Sequence, residues 1–158
     1  MQPLLKRRRA LHVKRLGDTY LIRLETGEEI IGSLEEFANA YRIGFGAVQA
    51  IGSLQRATLG TYDVETTTIQ RKELEEPVEL LNLSGNLSQG EDGERILQAH
   101  ATLGRSDYST QGGHLLAATV GATVEVVVAT APTPIRRRRD PDTGRQLWDL
   151  NTLEMVSA

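Results

Sequence analysis

The chain has 158 residues, no cysteine and a formal net charge of −3. This length suits one domain with its own core, and the absence of cysteine excludes disulfide bonds, thiolate metal sites and a cysteine nucleophile. The absence of cysteine also fits a reducing compartment, so we expect a cytoplasmic protein. Because no apolar run approaches the roughly 18 residues that a membrane helix needs, we expect no membrane partner.

Charge is distributed unevenly along the chain. Residues 1–24 carry seven Lys/Arg and one acid, residues 25–98 carry five and fourteen, and residues 99–158 carry six and six, which gives +6, −9 and 0. Cationic arms can bind nucleic acid by neutralising phosphates. A pI near 5.7 argues against a DNA-binding surface over the whole chain, and a solvated arm without a ligand remains the alternative.

The first half of the chain contains one pattern typical of a helix. Residues 1–17 lack an apolar period and are predicted to form a flexible basic arm. Residues 20–24 alternate as a strand does. Apolar residues between 28 and 41 follow the spacing of one helical face, and Glu28 and Glu29 are favourably placed for its N-terminal dipole, so we predict the principal helix there.

Short strands dominate the rest of the chain. Residues 47–54 predict a buried strand with Gly52 at a bulge or close contact, and residues 57–63 and 66–71 predict a hairpin. Residues 77–87 predict a bulged strand broken at Ser84 and Gly85, followed by a turn over residues 89–95. We therefore expect an α+β fold: a strongly bent, mainly antiparallel, barrel-like sheet with one helix.

The stretch from residue 96 to 128 has the most informative pattern. Residues 96–103 alternate, so Gln98, His100 and Thr102 share one face and the apolar residues between them face the core. Gly112 and Gly113 directly precede His114, where they tolerate a turn or close backbone approach before a strand over residues 122–129. A hydrogen-bonded histidine pair and a metal or small-ligand pocket are both compatible with this pattern.

Several motifs in order carry a family resemblance. They are Leu24-Glu25-x-Gly27-Glu28, Ala50-Ile51-Gly52, Glu79-Leu80-Leu81-x-Leu83-Ser84-Gly85, His100-Ala-x-Leu103, Gly112-Gly113-His114-Leu115 and Arg138-x-Asp140-Pro141-x-Thr143-Gly144. Together they resemble the plant and prokaryote conserved (PPC) domain. The resemblance implies a PPC-like domain over residues 18–131, a C-terminal extension over residues 132–158, and assembly as a homotrimer.

The resemblance also implies a function and a metal. Bacterial PPC members carry a provisional DNA-binding label, whereas plant members bind DNA through a separate Arg-Gly-Arg-Pro hook and use the domain to trimerise and recruit protein partners. Many prokaryotic relatives hold zinc with His-x-His on one strand and a further histidine. The matching positions here are Gln98, His100 and His114, and because an amide is a poor zinc ligand we expect no zinc, or weakly bound zinc.

The arginine-rich segments are the candidate DNA contacts. We expect any binding to be weak and indifferent to sequence; the alternative for the second run is a solvated segment paired with Asp140 and Asp142. No complete catalytic constellation is evident. A DNA-associated regulatory trimer, a metal-dependent enzyme and a ligand-binding trimer therefore remain the hypotheses. The candidate DNA contacts are Lys6, Arg7, Arg8, Arg9, Arg136, Arg137, Arg138 and Arg139.

Overall fold

The computed structural model describes residues 12–151, which form nine strands and one helix. The strands are β1 (His12–Leu16), β2 (Thr19–Glu25), β3 (Gly46–Asp63), β4 (Thr68–Leu74), β5 (Val78–Gln89), β6 (Arg95–Gly104), β7 (Thr110–Thr130), β8 (Arg137–Arg139) and β9 (Gln146–Trp148), and the helix is α1 (Ile30–Ala40). In this part of the chain no helix is long and apolar enough to cross a bilayer.

Seven strands form one bent sheet in the order β1-β2-β7-β6-β5-β3-β4. All of its strand pairings are antiparallel. An additional pairing joins β7 to β3, so that β3, β5, β6 and β7 close a ring of four strands. The predicted α+β fold with a bent, mainly antiparallel sheet and one helix is confirmed, and the closed part of the sheet is this ring of four strands.

Helix α1 covers one side of the sheet, as predicted. Ile30, Leu34 and Phe37 are fully buried on its inner face. Glu29 is the N-cap: one of its carboxylate oxygens accepts from Gly32 N at 2.7 Å, and the other accepts from Ala118 N of β7 at 3.1 Å. The same residue therefore caps the helix and holds it to the sheet.

The alternation over residues 96–103 is confirmed in β6. Leu97, Ala99, Ala101 and Leu103 are buried, whereas His100 and Thr102 are exposed. Since successive side chains of a strand point to opposite faces, the outer face of β6 carries its polar residues. This outer face is where the histidine pair lies.

Three local predictions are wrong. Residues 12–16, expected in the flexible arm, form β1 against β2; most of this edge strand is exposed, which explains why it has no apolar period. Gly112 and Gly113 lie inside the 21-residue β7 rather than before a new strand. The bulge of β5 falls between Leu80 and Asn82 instead of at Ser84 and Gly85.

Gly113 of β7 allows close packing against β3. A Cβ on Gly113 would lie 2.9 Å from the carbonyl oxygen of Gly60 on β3. Gly60 is also the register partner of His114. The absence of a side chain therefore lets β3 and β7 approach closely beside the histidine, which is the close backbone approach that the glycine pair predicts.

Candidate functional site

The C-terminal extension forms a two-stranded ribbon, β8 and β9, that is attached to β5 through Arg137. Only 5% of Arg137 is exposed. Its guanidinium donates to Ser88 Oγ at 2.7 Å, Asn86 Oδ1 at 2.8 Å and the carbonyl oxygen of Gln146 at 2.9 Å. Two of these acceptors belong to β5 and the third to β9, so one side chain ties the ribbon to the sheet.

The Arg137 cation is stabilised without an ion pair among the described residues. Its guanidinium lies 5.7 Å from the centre of the Trp148 ring, and it donates hydrogen bonds to three neutral oxygens. Burial nevertheless lowers the pKa of Arg137, because the charged form loses its hydration. Such a group is costly to bury, and the fork geometry of arginine suits the three fixed acceptors.

Trp148 completes this anchor. Its indole contacts the ring of Phe45 edge-on at 6.1 Å and donates to Asn86 Oδ1 at 3.4 Å. Further along, Gln89 N donates to Ile135 O, and Ile135 N donates to Gly44 O. The ribbon and the segment that precedes it are thus held to the sheet at several points.

The predicted run of four DNA-contacting arginines is divided by this anchor. Arg136, Arg138 and Arg139 are exposed, but Arg137 faces inward and is removed from the predicted DNA contact. Arg138 pairs with Asp149 at 2.9 Å rather than with the expected aspartates of the following turn. The predicted contacts at Lys6, Arg7, Arg8 and Arg9 lie outside the described residues.

The structure brings together two of the three predicted metal-ligating side chains. His100 of β6 and His114 of β7 are direct register partners, and their rings meet edge-on with centroids 5.5 Å apart. Gln98 lies two residues before His100 and is paired with Asn86 of β5. It is on the same face as His100, one step away from the pair.

Sequence reasoning missed a contact between Arg145 and Tyr62 and an effect of the Arg145 charge on His114. The guanidinium of Arg145, from the turn between β8 and β9, lies over the ring of Tyr62 on β3, 4.8 Å from its centre. Burial lowers the pKa of His114, and the charges of His100 and Arg145 lower it further. Arg145 is a single arginine in a polar turn, so the sequence contains no signal that it approaches a histidine 31 positions earlier.

These residues fit zinc poorly. Zinc sites use three or four nitrogen, sulfur or carboxylate ligands, and the described residues contain no group of three or more His, Asp or Glu side chains placed to hold a metal. Two imidazoles and a displaced amide are one good ligand short. The positive charge of Arg145, which lowers the pKa of His114, also disfavours a bound cation.

Comparison with known proteins places the fold in a family. Residues 12–132 match the Plants and Prokaryotes Conserved (PCC) domain, the family that the sequence motifs resemble. A search of curated proteins gave no match.

Three solved structures show the same architecture. A "putative dna binding protein" of Bacteroides thetaiotaomicron is 31% identical, with a TM-score of 0.85 over 89% of this chain and 98% of that one. A metal-containing protein of Archaeoglobus fulgidus is 33% identical, with a TM-score of 0.77 over 89% and 99%. A plant- and prokaryote-conserved protein of Pyrococcus horikoshii is 27% identical, with a TM-score of 0.78 over 92% and 97%. The chain therefore belongs to the Plants and Prokaryotes Conserved domain family.

Proposed function

We propose that this protein is a cytoplasmic, DNA-associated homotrimer of regulatory type that binds duplex DNA weakly and without sequence preference. The Bacteroides relative, named for DNA binding, supports the general role. The observation that carries the proposal is the ribbon formed by β8 and β9. Its strand β8 holds the exposed Arg138 and Arg139, and the exposed Arg136 directly precedes that strand, on a backbone fixed to the sheet.

The contact is electrostatic. Arg136, Arg138 and Arg139 are exposed on one short segment whose position is set by the buried Arg137. Guanidinium groups pair with phosphate oxygens in a planar, bidentate manner. A preordered set of them loses less conformational entropy on binding than arginines on a free arm would.

The absence of an Arg-Gly-Arg-Pro segment supports DNA binding without sequence preference. Its sequence contains no Arg-Gly-Arg-Pro segment of the kind through which plant members of the family bind DNA. Phosphate contacts fix position but carry no base information. The basic segment Lys6, Arg7, Arg8 and Arg9 adds charge of the same kind.

Fluorescence anisotropy with two duplexes of unrelated sequence tests the proposal. We expect the wild type to bind both equally. We expect affinity to fall when residues 1–9 are deleted, and to fall again when Arg136, Arg138 and Arg139 are changed to glutamine. A variant with Arg42→Gln and Arg56→Gln controls for loss of charge elsewhere. A strong preference for one duplex, or equal affinity of the arginine variants and wild type, would remove the proposed mode of binding.

The proposed trimer is supported by apolar side chains on the outer face of β2, β3 and β7. Leu21 and Val127 are register partners, and they are 40% and 42% exposed. Ile51 on the neighbouring β3 is 59% exposed. Grouped aliphatic side chains of this kind mark association surfaces.

Sedimentation equilibrium tests the assembly at micromolar concentration. We expect three copies for the wild type and for Ile69→Ser, which removes an exposed aliphatic side chain on the edge strand β4. The double variant Leu21→Ser/Val127→Ser is expected to dissociate. A monomeric wild type would exclude the trimer.

A further inference from the structure

The ring of four strands carries a pocket of about 580 Å³ that is separate from the DNA contact, the histidine pair and the apolar assembly surface. Cavities of roughly 300–1,000 Å³ are of the size that holds small organic ligands. We propose that this ring pocket binds a small organic cation, a primary amine with an apolar body, and that Glu79 is its counter-ion. The lining includes Ser53 and Leu54 of β3, Glu79 and Leu81 of β5, Gly104 of β6 and Ala122 of β7.

The lower part of the ring pocket is aliphatic. Leu54 and Val78 are register partners on β3 and β5, and both are buried. Leu81 and Ala122 also line the pocket, and both are exposed, Leu81 to 49%. A hydrocarbon body that covers these side chains removes apolar surface from water, which favours binding.

Gly104 leaves room beside the Glu79 carboxylate. Glu79 is the register partner of Ser53 on one side and of Gly104 on the other. Directly opposed residues of neighbouring strands point to the same face, so a side chain at Gly104 would stand next to Glu79. A Cβ there would lie only 3.2 Å from Leu81 Cδ1. The carboxylate is therefore bordered by a hydroxyl on β3 and by open space on β6.

The charges of the ring pocket favour a cation. Glu79 and Arg105 are the two charged side chains of its lining. Arg105 is already paired with Glu76, with Nε and Oε1 2.6 Å apart. Glu79 makes no hydrogen bond or ion pair with any other residue of the described range 12–151. With Asp107 in the adjoining turn, three carboxylates surround one guanidinium, so the local potential is negative.

The donor set suits an ammonium group better than a metal ion. Within residues 12–151 no group of three or more His, Asp or Glu side chains is placed to hold a metal. An ammonium group has three N–H donors and needs one carboxylate and neutral oxygens to accept them. The hydroxyls of Ser53 and Thr110 line the same pocket as Glu79. Ser53 is held in place because its Oγ accepts from Ala122 N at 2.9 Å.

Tyr108 adds an aromatic ring at the rim. It lies in the turn between β6 and β7, lines the ring pocket and is 94% exposed. Two backbone hydrogen bonds fix this turn, from Tyr108 N to Arg105 O and from Arg105 N to Ser109 O, both at 2.9 Å. Among the described side chains none contacts the Tyr108 ring. An ammonium group over its face would gain a cation–π contact.

NMR titration of the full-length, ¹⁵N-labelled protein tests the ring pocket. The probe is 2-phenylethylammonium, which is positively charged at neutral pH. The references are 2-phenylethanol and 3-phenylpropionate, which have a similar apolar body with a neutral and a negative head. We expect the amine to shift the amide signals of Glu79, Gly104 and Ala122. The alcohol should bind about tenfold more weakly, as expected for loss of a charge-assisted hydrogen bond, and the carboxylate should not bind.

Substitutions separate the three parts of the site. Glu79→Gln should weaken binding of the amine about tenfold, whereas Glu65→Gln removes an exposed carboxylate from the distant turn between β3 and β4 and should leave it unchanged. Tyr108→Ala should weaken binding about two- to fivefold, and Tyr108→Phe should retain it. Ala122→Phe places a ring in the pocket from an exposed position and should abolish binding.

Several results would overturn the proposal. They are equal affinity for the alcohol and the amine, wild-type affinity in Glu79→Gln, and unchanged amide signals around the pocket. Sedimentation of Ala122→Phe tests a second copy of the chain as the occupant: a change in the number of subunits would make the pocket an interface between copies, whereas an unchanged number supports a small ligand. None of these measurements involves DNA, so DNA binding through the exposed arginines succeeds or fails independently.

Discussion

Replacement of Arg137 by methionine should release the C-terminal ribbon from the sheet. Methionine keeps much of the apolar stem but has no donor for Ser88 Oγ, Asn86 Oδ1 or the carbonyl oxygen of Gln146, which accept at 2.7, 2.8 and 2.9 Å. Because Ser88 is fully buried, its hydroxyl oxygen would lose the hydrogen bond from Arg137, and water could not easily replace that donor.

The size of the effect follows from these three bonds. A hydrogen bond from a charged donor contributes roughly 1.5–3 kcal/mol, but burial of the guanidinium costs several kcal/mol and offsets much of their sum. We therefore expect the free energy of ribbon opening to fall by about 3 kcal/mol. This corresponds to an increase on the order of a hundredfold in the population of the open ribbon.

Hydrogen exchange detected by mass spectrometry measures this opening directly. Amides of β8 and β9 should exchange about a hundredfold faster in Arg137→Met, whereas those of β6 and α1 should change little. Arg139→Met is the matched control, since it removes an exposed arginine from the same strand. Unchanged exchange in Arg137→Met, or equal acceleration in Arg139→Met, would refute the anchoring role of Arg137.

Four further substitutions test the packing, the ionisation and the metal preference. Gly85→Ala should lower the free energy of unfolding by about 3 kcal/mol, because its Cβ would lie 2.2 Å from the Gln98 carbonyl oxygen. Gly32→Ala in α1 should instead raise the free energy of unfolding by about 0.5 kcal/mol. Thermal denaturation of the two variants and the wild type measures both changes. Burial raises the pKa of Glu35, an effect that a hydrogen bond from Leu97 N partly opposes, so stability is lost as the pH rises through the folded-state pKa. Glu35→Gln keeps the acceptor and should stabilise the protein at neutral pH, with the gain vanishing in acid; no gain at neutral pH would contradict this. Gln98→His should increase zinc affinity in calorimetric titration by adding a third imidazole, and an unchanged affinity would show that the three positions do not converge.

The sequence predicts the strands that are buried on one face, and it also predicts the exposed strand β4 from its threonine-rich hairpin. The period of two over residues 96–103 identifies the inner and outer faces of β6 correctly, because a core selects apolar side chains at alternate positions. The edge strand β1 has little buried surface, so no period marks it. The helix is predicted to within two residues at its N-terminal end, since one face of it fills the core.

The sequence predicts the parts of the candidate site that lie in recognisable motifs, and it misses the parts that depend on long-range contacts. His100 and His114 are both recognised as candidates, and the structure makes them neighbours. In contrast, four consecutive arginines cannot be told apart in a sequence. Arg137 differs from the others because it donates to Ser88 and Asn86, which lie 49 and 51 positions earlier in the chain. The approach of Arg145 to Tyr62 depends on the same long-range docking of the ribbon.

The most direct test of the proposed DNA-binding function is the salt dependence of affinity in wild type and in the Arg136→Gln/Arg138→Gln/Arg139→Gln variant. Each phosphate contact contributes about 0.9 to the slope of log affinity against log salt concentration. We predict a steep negative slope for the wild type, which becomes shallower by about 0.9 for every arginine contact that is lost. An identical slope in both proteins would contradict the account, because the ribbon would then make no phosphate contact.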